Sequence, residues 1–366
     1  MNDESLRPRP TEHRATHRLD GPITIDSVER YAHGLRWKLG ISTNPCVQAR
    51  RNTRCVYCGF RNHHNPVPPD DVGHVLRRAL ESRDLRAVRR LELYVSGSFF
   101  DEHEVSEQST DLIAQLIAGS TVNEVVLESR PEFVTEDRLR ALAQRLDPSR
   151  VIVAVGVETM DDELRSRLSK NFSTDDVVRS IEAVAQAGMG FQAYLLLNPP
   201  LINDDRSAIV DVLTSSRRIL RLTSRLQCKT ILAVQPYFVA KESAIAERLS
   251  AEPPPRPPWL YTIALVLGLL DAIRGEWVPP FQIILGNEVD NVDTLRIPAN
   301  YAADGGVCDC SDGIRQLLRE VNISRDTMRE RVQQVLAAPC ECREAWEQQI
   351  VAGVCEFAST IPDTPW

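Results

Sequence analysis

The chain has 366 residues, 43% hydrophobic and 26% charged, which is normal for a folded globular protein and enough for one large barrel or two ordinary domains. Its 51 acidic residues outnumber 43 basic ones, and the net charge of −8 argues against a broad cationic surface for nucleic acid. The first twenty residues are polar and proline-punctuated rather than a secretory signal, and the longest apolar run, residues 260–270, cannot span a bilayer, so a cytoplasmic chain without membrane attachment is expected. Lysine occurs only at Lys38, Lys170, Lys229 and Lys241, an arginine skew typical of a GC-rich genome. Nine cysteines in such a chain point to metal or redox chemistry rather than disulfides.

Along the chain, residues 1–22 read as a flexible tail with little apolar periodicity. Short strands follow at 36–42, 91–96, 124–128, 151–157, 191–197 and 230–235. Several are continuous apolar runs, the pattern of parallel strands covered on both faces. Between them lie amphipathic helices, for example Val177, Val178, Ile181, Val184 and Ala185, opening after Ser173 and stopping at Gly188. Six β-then-α units predict an α/β fold, a partial parallel (β/α)6 barrel over residues 23–250, with its chemistry at the carboxyl ends of the strands. A proline-rich stretch at 252–258, an apolar helix from Trp259 to about Arg274 and a possible strand at 281–285 occupy 251–299. Residues 300–366 read as a mainly helical, cysteine-containing C-terminal subdomain.

Cys46, Cys55 and Cys58 form a C-x8-C-x2-C loop directly after the first of these strands. A 4Fe-4S cluster held by three thiolates leaves one iron open to a substrate or cofactor. Zinc with His63 or His64 as fourth ligand, or a packing role without metal, are the alternatives. His33, His74 and His103 read as surface or capping residues.

A three-cysteine loop after the first strand of a six-unit parallel barrel resembles the radical S-adenosylmethionine superfamily. The sequence keeps the aromatic before the last cysteine, Tyr57, and widens the first gap to eight residues, as in the branch of the Elongator catalytic subunit and the archaeosine synthase radical subunit. The phrases YVSGSFFD (94–101), ESRPEF (128–133), VGVET (155–159) and AYLLLNPP (193–200) resemble that branch in the same order, over roughly residues 35–240. The resemblance implies a 4Fe-4S cluster on Cys46, Cys55 and Cys58 that reductively cleaves S-adenosylmethionine to a 5′-deoxyadenosyl radical, with ferredoxin or flavodoxin as electron donor. It also implies that Ser96, Gly97 and Ser98 contact the methionine amino group, Glu128 the ribose, and Arg130 the methionine carboxylate. By the same resemblance Glu158 binds cofactor or substrate, while Tyr57 and the segment from Tyr194 to Asn198 lie against the adenine. Each has a structural alternative: a turn, a strand-end salt bridge, or plain core.

Cys308-Asp309-Cys310 and Cys340-Glu341-Cys342 could close a four-thiolate zinc site or hold a second iron–sulfur cluster, or serve neither purpose. Cys228 and Cys355 read as packing residues. The substrate expected is a small organic molecule of specialised metabolism, ahead of a transfer RNA base, because the chain is acidic and has no basic tail. A non-enzymatic zinc protein would account for the cysteines but not for the strand-end motifs.

Overall fold

The computed structural model describes residues 21–31, 34–59, 65–202, 204–248, 256–286, 293–302 and 304–357, with side chains as far as 350. The expected tail (up to residue 20), most of the proline-rich stretch, His33, His63 and His64 and the Cys355 side chain lie outside the described residues.

Among the described residues, seven parallel strands form the sheet: β2 (Gly34–Ile41), β3 (Val88–Tyr94), β4 (Glu124–Ser129), β5 (Val151–Glu158), β6 (Gly190–Leu197), β7 (Thr230–Pro236) and β9 (Gln282–Leu285). They stand in chain order, as right-handed crossovers require. β9 extends the sheet beyond the six expected units, so residues from the 251–299 segment belong to the same sheet as the barrel. β1 (Ile23–Tyr31) pairs antiparallel with β2 along its length and closes the other edge. A small ribbon of β8 (Val239–Ala240) and β10 (Thr294–Arg296) stands apart from this sheet.

One sheet face packs beneath helices α2 (Val72–Glu81), α3 (Glu107–Ala118), α4 (Glu136–Ala143), α6 (Thr174–Gln186) and α7 (Asp205–Arg225), while the short α1 (Val47–Arg50) and α5 (Asp162–Arg167) follow β2 and β5. β5 and β6 are buried at every position, which explains their unbroken apolar sequences. Helix α6 (Thr174–Gln186) opens with a full capping box, Ser173 accepting from the Asp176 amide while Asp176 accepts from the Ser173 amide. The apolar run forms α8 (Leu260–Ala272), packed against α7 (Asp205–Arg225), α9 (Cys310–Leu318) and α10 (Arg325–Ala337). α11 (Glu341–Phe357) lies along α7, its Trp346 Nε1 donating to Thr262 Oγ1 at 2.9 Å. No helix among the described residues is long and apolar enough to cross a membrane.

The other sheet face is concave, and its half nearest the amino ends of the strands is filled by buried ions. Arg90 Nε donates to Glu92 Oε1 at 2.7 Å, its NH1 meets Glu124, and its NH2 donates to Gln192 Oε1 at 2.5 Å. Arg36 lies 2.5 Å from Glu29 and 3.7 Å from Glu92, while Lys38 pairs with Glu29 at 3.3 Å. Tyr94 donates to Glu92 Oε2 at 2.8 Å. Val126, Ile152, Ala154, Tyr194, Ile231 and Ala233 complete this filling. Packed in this way, the barrel is open to chemistry at the carboxyl ends of its strands.

Candidate active site

The cysteine loop begins where β2 ends. The eight residues between Cys46 and Cys55 are taken up locally: α1 (Val47–Arg50) makes one helical turn, Asn52 adopts φ 54°, and the Thr53 amide closes onto the Gln48 carbonyl at 2.9 Å. This brings the chain back so that Cys55 stands near enough to Cys46 for the two thiols to interact electrostatically, and the Cys58 amide closes onto the Cys55 carbonyl at 3.2 Å. The loop is pinned from both sides, by the Val56 amide on the Leu168 carbonyl at 3.2 Å and the Ile245 amide on the Val56 carbonyl at 3.0 Å. All three thiols are partly buried and free of disulfides. Burial pushes the Cys55 thiol up, although Lys170 and Arg130 stand near enough to pull it down.

Gly97 forms the floor beside Cys46. A Cβ placed there would stand 2.2 Å from Cys46 Cβ and 2.9 Å from Glu104 Oε1, so only glycine admits the cysteine. The flanking serines are engaged inside the protein. Ser96 Oγ donates to the Thr43 carbonyl and accepts from the Thr43 amide, both at 2.9 Å, tying β3 to β2. Ser98 is fully buried and accepts from the Arg130 amide at 3.2 Å. Hydroxyl contact with a cofactor, expected for these two side chains, therefore competes with bonds already made, which leaves the turn's backbone as the surface on offer.

At the end of β4, Arg130 is 7% exposed, stacks 5.2 Å from the Phe172 ring centroid, and donates to Glu132 Oε1 at 2.7 Å and to the Lys170 carbonyl at 2.6 Å. Glu128 is half-buried two residues earlier on the concave face. At the end of β5, Glu158 adopts φ 64°, a conformation costly for a side chain of its size, and its Oε1 receives the Lys170 ammonium at 2.7 Å. Lys170 also reaches the Tyr57 hydroxyl at 3.3 Å. Burial first, and the Glu158 carboxylate next, push the Tyr57 hydroxyl well up. For Lys170, burial favours the neutral amine but Glu158 outweighs it and the ammonium is held. Gly156 gives this pair room, since a Cβ there would lie 2.8 Å from Lys170 Nζ.

β6 ends in a second strained residue, Asn198 at φ 60°, whose Nδ2 donates to the Arg256 carbonyl at 2.9 Å. Its buried Oδ1 has no partner among the described residues. Tyr194 sits deeper on the concave face, its hydroxyl 3.4 Å from that of Tyr94. Leu196, Tyr237, Val239 and Ile245 form an apolar cluster against which Tyr57 packs.

Sequence reasoning missed four members of this neighbourhood. Lys170 carried a signal, being one of four lysines in a chain that otherwise uses arginine. Thr43 accompanies it as the partner of Ser96. Glu104 is fully buried, receives the Thr43 hydroxyl at 3.1 Å, and is pushed up to about 8 by burial. Gln48 bridges Thr53 at 2.6 Å and Asn171 at 3.0 Å through its Oε1. The last three are scattered in sequence and converge only in the fold.

These features fit an open iron–sulfur cluster with an amino-acid-like cofactor beside it: three thiols from one pinned loop, a glycine cradle at Cys46, strand-end charges and an unpartnered amide oxygen. His74 lies on α2, and the His103 side chain is 74% exposed beside Asp101, with its carbonyl joined to the cysteine loop through Asn44 Nδ2 at 2.8 Å.

Comparison with known proteins agrees with this geometry. Residues 50–213 match the Radical SAM superfamily. Across 361 residues, covering 95% of this chain and 92% of the relative, the sequence is 26% identical to an uncharacterized protein of Methanocaldococcus jannaschii. It is also 26% identical to the archaeosine synthase subunit beta of Methanosarcina acetivorans over 298 residues, covering 80% of this chain and 79% of that protein. The Thermococcus kodakarensis archaeosine synthase subunit beta is 23% identical over 330 residues, covering 87% and 92%. Over residues 50–213 the chain is therefore similar to the radical S-adenosylmethionine superfamily, a family of enzymes whose cofactors are a 4Fe-4S cluster and S-adenosylmethionine.

Proposed function

We propose that this enzyme abstracts a hydrogen atom from a transfer RNA base, the type of substrate implied by resemblance to archaeosine synthase. The carrying observation is the extent of the likeness. The cysteine loop and strand-end residues lie within 46–198, yet the two archaeosine synthase relatives align over 298 and 330 residues. The shared sequence therefore reaches beyond the cofactor machinery into regions that can select a substrate. Both relatives are named as subunits, and a partner subunit would supply the cationic surface that a chain of net charge −8 does not.

In this reading Cys46, Cys55 and Cys58 hold the cluster. When bound, the reduced cluster and cofactor supply a carbon-centred radical able to take a hydrogen atom from the substrate. The residues of the chain position and shield. The Gly97 turn offers backbone carbonyls to the cofactor's ammonium, and Arg130, oriented by Glu132 and Phe172, faces its carboxylate. Glu128 and Glu158 accept hydroxyl or amino groups, Lys170 holding the Glu158 side chain in place. Asn198 offers to the adenine amine an oxygen that has no partner among the described residues. Tyr57, Leu196, Tyr237 and Ile245 exclude water from this side.

The second reading, a small-molecule substrate, is favoured by the acidic balance of the chain. Anaerobic reconstitution with a chemical reductant or flavodoxin separates the two. Transfer RNA is expected to raise 5′-deoxyadenosine formation severalfold and to change in mass at one nucleotide, both effects disappearing after nuclease treatment. Stimulation by a small-molecule extract alone would transfer support to the second reading. A colourless protein that leaves S-adenosylmethionine intact would overturn both.

A further inference from the structure

We infer that Cys308, Cys310, Cys340 and Cys342 bind one mononuclear zinc ion that fastens the C-terminal helices to the barrel, and that they do not hold an auxiliary iron–sulfur cluster. The four Sγ atoms all lie within 4.8 Å of one another, with Cys308 and Cys340 3.4 Å apart and Cys310 and Cys342 also 3.4 Å apart. Four thiolates around a tetrahedral ion with bonds of about 2.3 Å have edges of about 3.8 Å, by the geometry of the tetrahedron. The quartet is of that size. A 4Fe-4S cluster directs each thiolate outward from a different iron, and a 2Fe-2S cluster separates two pairs by the width of its core. Neither leaves all four sulfurs mutually this close.

The surroundings are built for thiolates. Asn300, fully buried, donates from Nδ2 to Cys310 Sγ at 3.4 Å, and its Oδ1 accepts the Leu260 amide at 3.1 Å. Its carbonyl receives the Cys308 amide at 2.8 Å, so one residue fixes both members of the first pair and the start of α8. The Tyr261 hydroxyl lies 3.6 Å from Cys342 Sγ and can donate to that sulfur once it is ionised. Cys342 is in the first turn of α11, where Tyr261 and Trp346 pack with ring centroids 5.3 Å apart. An ion here joins the start of α9, the start of α11 and, through Asn300 and Tyr261, α8. The pairing of 308 with 340 and of 310 with 342 crosses between the two C-x-C segments, so one ion closes a loop that α9 and α10 span.

The test uses the full chain with Cys46, Cys55 and Cys58 all replaced by alanine, which removes the catalytic cluster and makes the result independent of the proposed substrate. Metal analysis of this variant is expected to give one zinc per chain with no acid-labile sulfide. Replacement by cobalt should produce the strong visible bands of a tetrahedral tetrathiolate site. Adding Cys310→Ser or Cys340→Ser is expected to reduce bound zinc at least severalfold under competition from a chelator. The milder Asn300→Asp and Tyr261→Phe variants keep all four thiols, so retained zinc with altered cobalt bands checks the site even if a serine variant fails to fold. Iron and sulfide in the triple variant after reconstitution, a single iron in place of zinc, or no bound metal would each overturn the inference.

Discussion

Gly97→Ala is expected to abolish most cluster binding while the fold survives. The added carbon would meet Cys46 Cβ at 2.2 Å and the Cys46 Cα at 3.1 Å, and these are not the ends of flexible side chains that swing away. Cys46 is followed at once by the helical turn Val47–Arg50, and Arg50 is anchored to Asp101 at 2.6 Å, so the loop yields only by moving as a unit. A displacement of roughly 1 Å in a positioned group is enough to reduce a rate by about 100-fold. Iron content and visible absorbance after reconstitution should fall with 5′-deoxyadenosine formation, while the circular dichroism spectrum is unchanged. Cys46→Ala should give the same loss. If Gly97→Ala kept wild-type iron and activity, the close approach of this turn to Cys46 would have no part in cluster binding. The effect distinguishes a glycine kept for a cysteine's approach from one kept for a turn, since Gly97 has no positive φ to satisfy.

The parallel barrel was legible because its strands are buried on both faces and its helices carry capped apolar stripes. β5 and β6 read directly from the apolar runs VIVAVGV and AYLLL, and the structure extends the expected strands 151–157 and 191–197 by one residue each. β1 was not legible: only Ile25 is fully buried, and the strand spends Glu29 on the ion network rather than on apolar packing. β9 has four residues, too few for its place beside β7 to be read from pattern. The motif residues at the strand ends were legible as a set, but their partners were not. Ser96 and Ser98 look available in sequence and are tied to Thr43 and the Arg130 amide in the fold. The lysines are the informative exception. Lys38 pairs with Glu29, Lys170 with Glu158 and Lys229 with Glu124, each a compact ammonium against a carboxylate in or beside the concave face.

That ion network carries the largest expected effect on stability, through Glu92→Gln. Glu92 is 3% exposed and stands between Arg36 and Arg90, 2% and 1% exposed. Burial alone would raise its carboxyl, but Arg36, Arg90 and Lys38 outweigh burial and hold it down to about 2. Replacing the carboxylate by an amide leaves two guanidinium groups with one fewer counter-charge in a site water does not reach. Breaking a buried pair from one side costs about 3–5 kcal/mol. Glu29, Glu124 and Gln192 still bond the arginines, which places the expected loss at neutral pH toward the lower end of that range. The folded carboxyl titrates below the unfolded one, so its stabilisation is fully present above the unfolded value of about 4.5 and is lost as pH falls toward about 2. Denaturant unfolding should therefore show a large difference between wild type and Glu92→Gln at pH 7 and a shrinking one below pH of about 4.5. Asp84→Asn, at the exposed Asp84–Arg86 pair, is the control and should leave the unfolding midpoint where it was. A Glu92→Gln variant as stable as wild type at pH 7 would mean that the remaining carboxylates already neutralise Arg36 and Arg90, and that the network is tolerated rather than required.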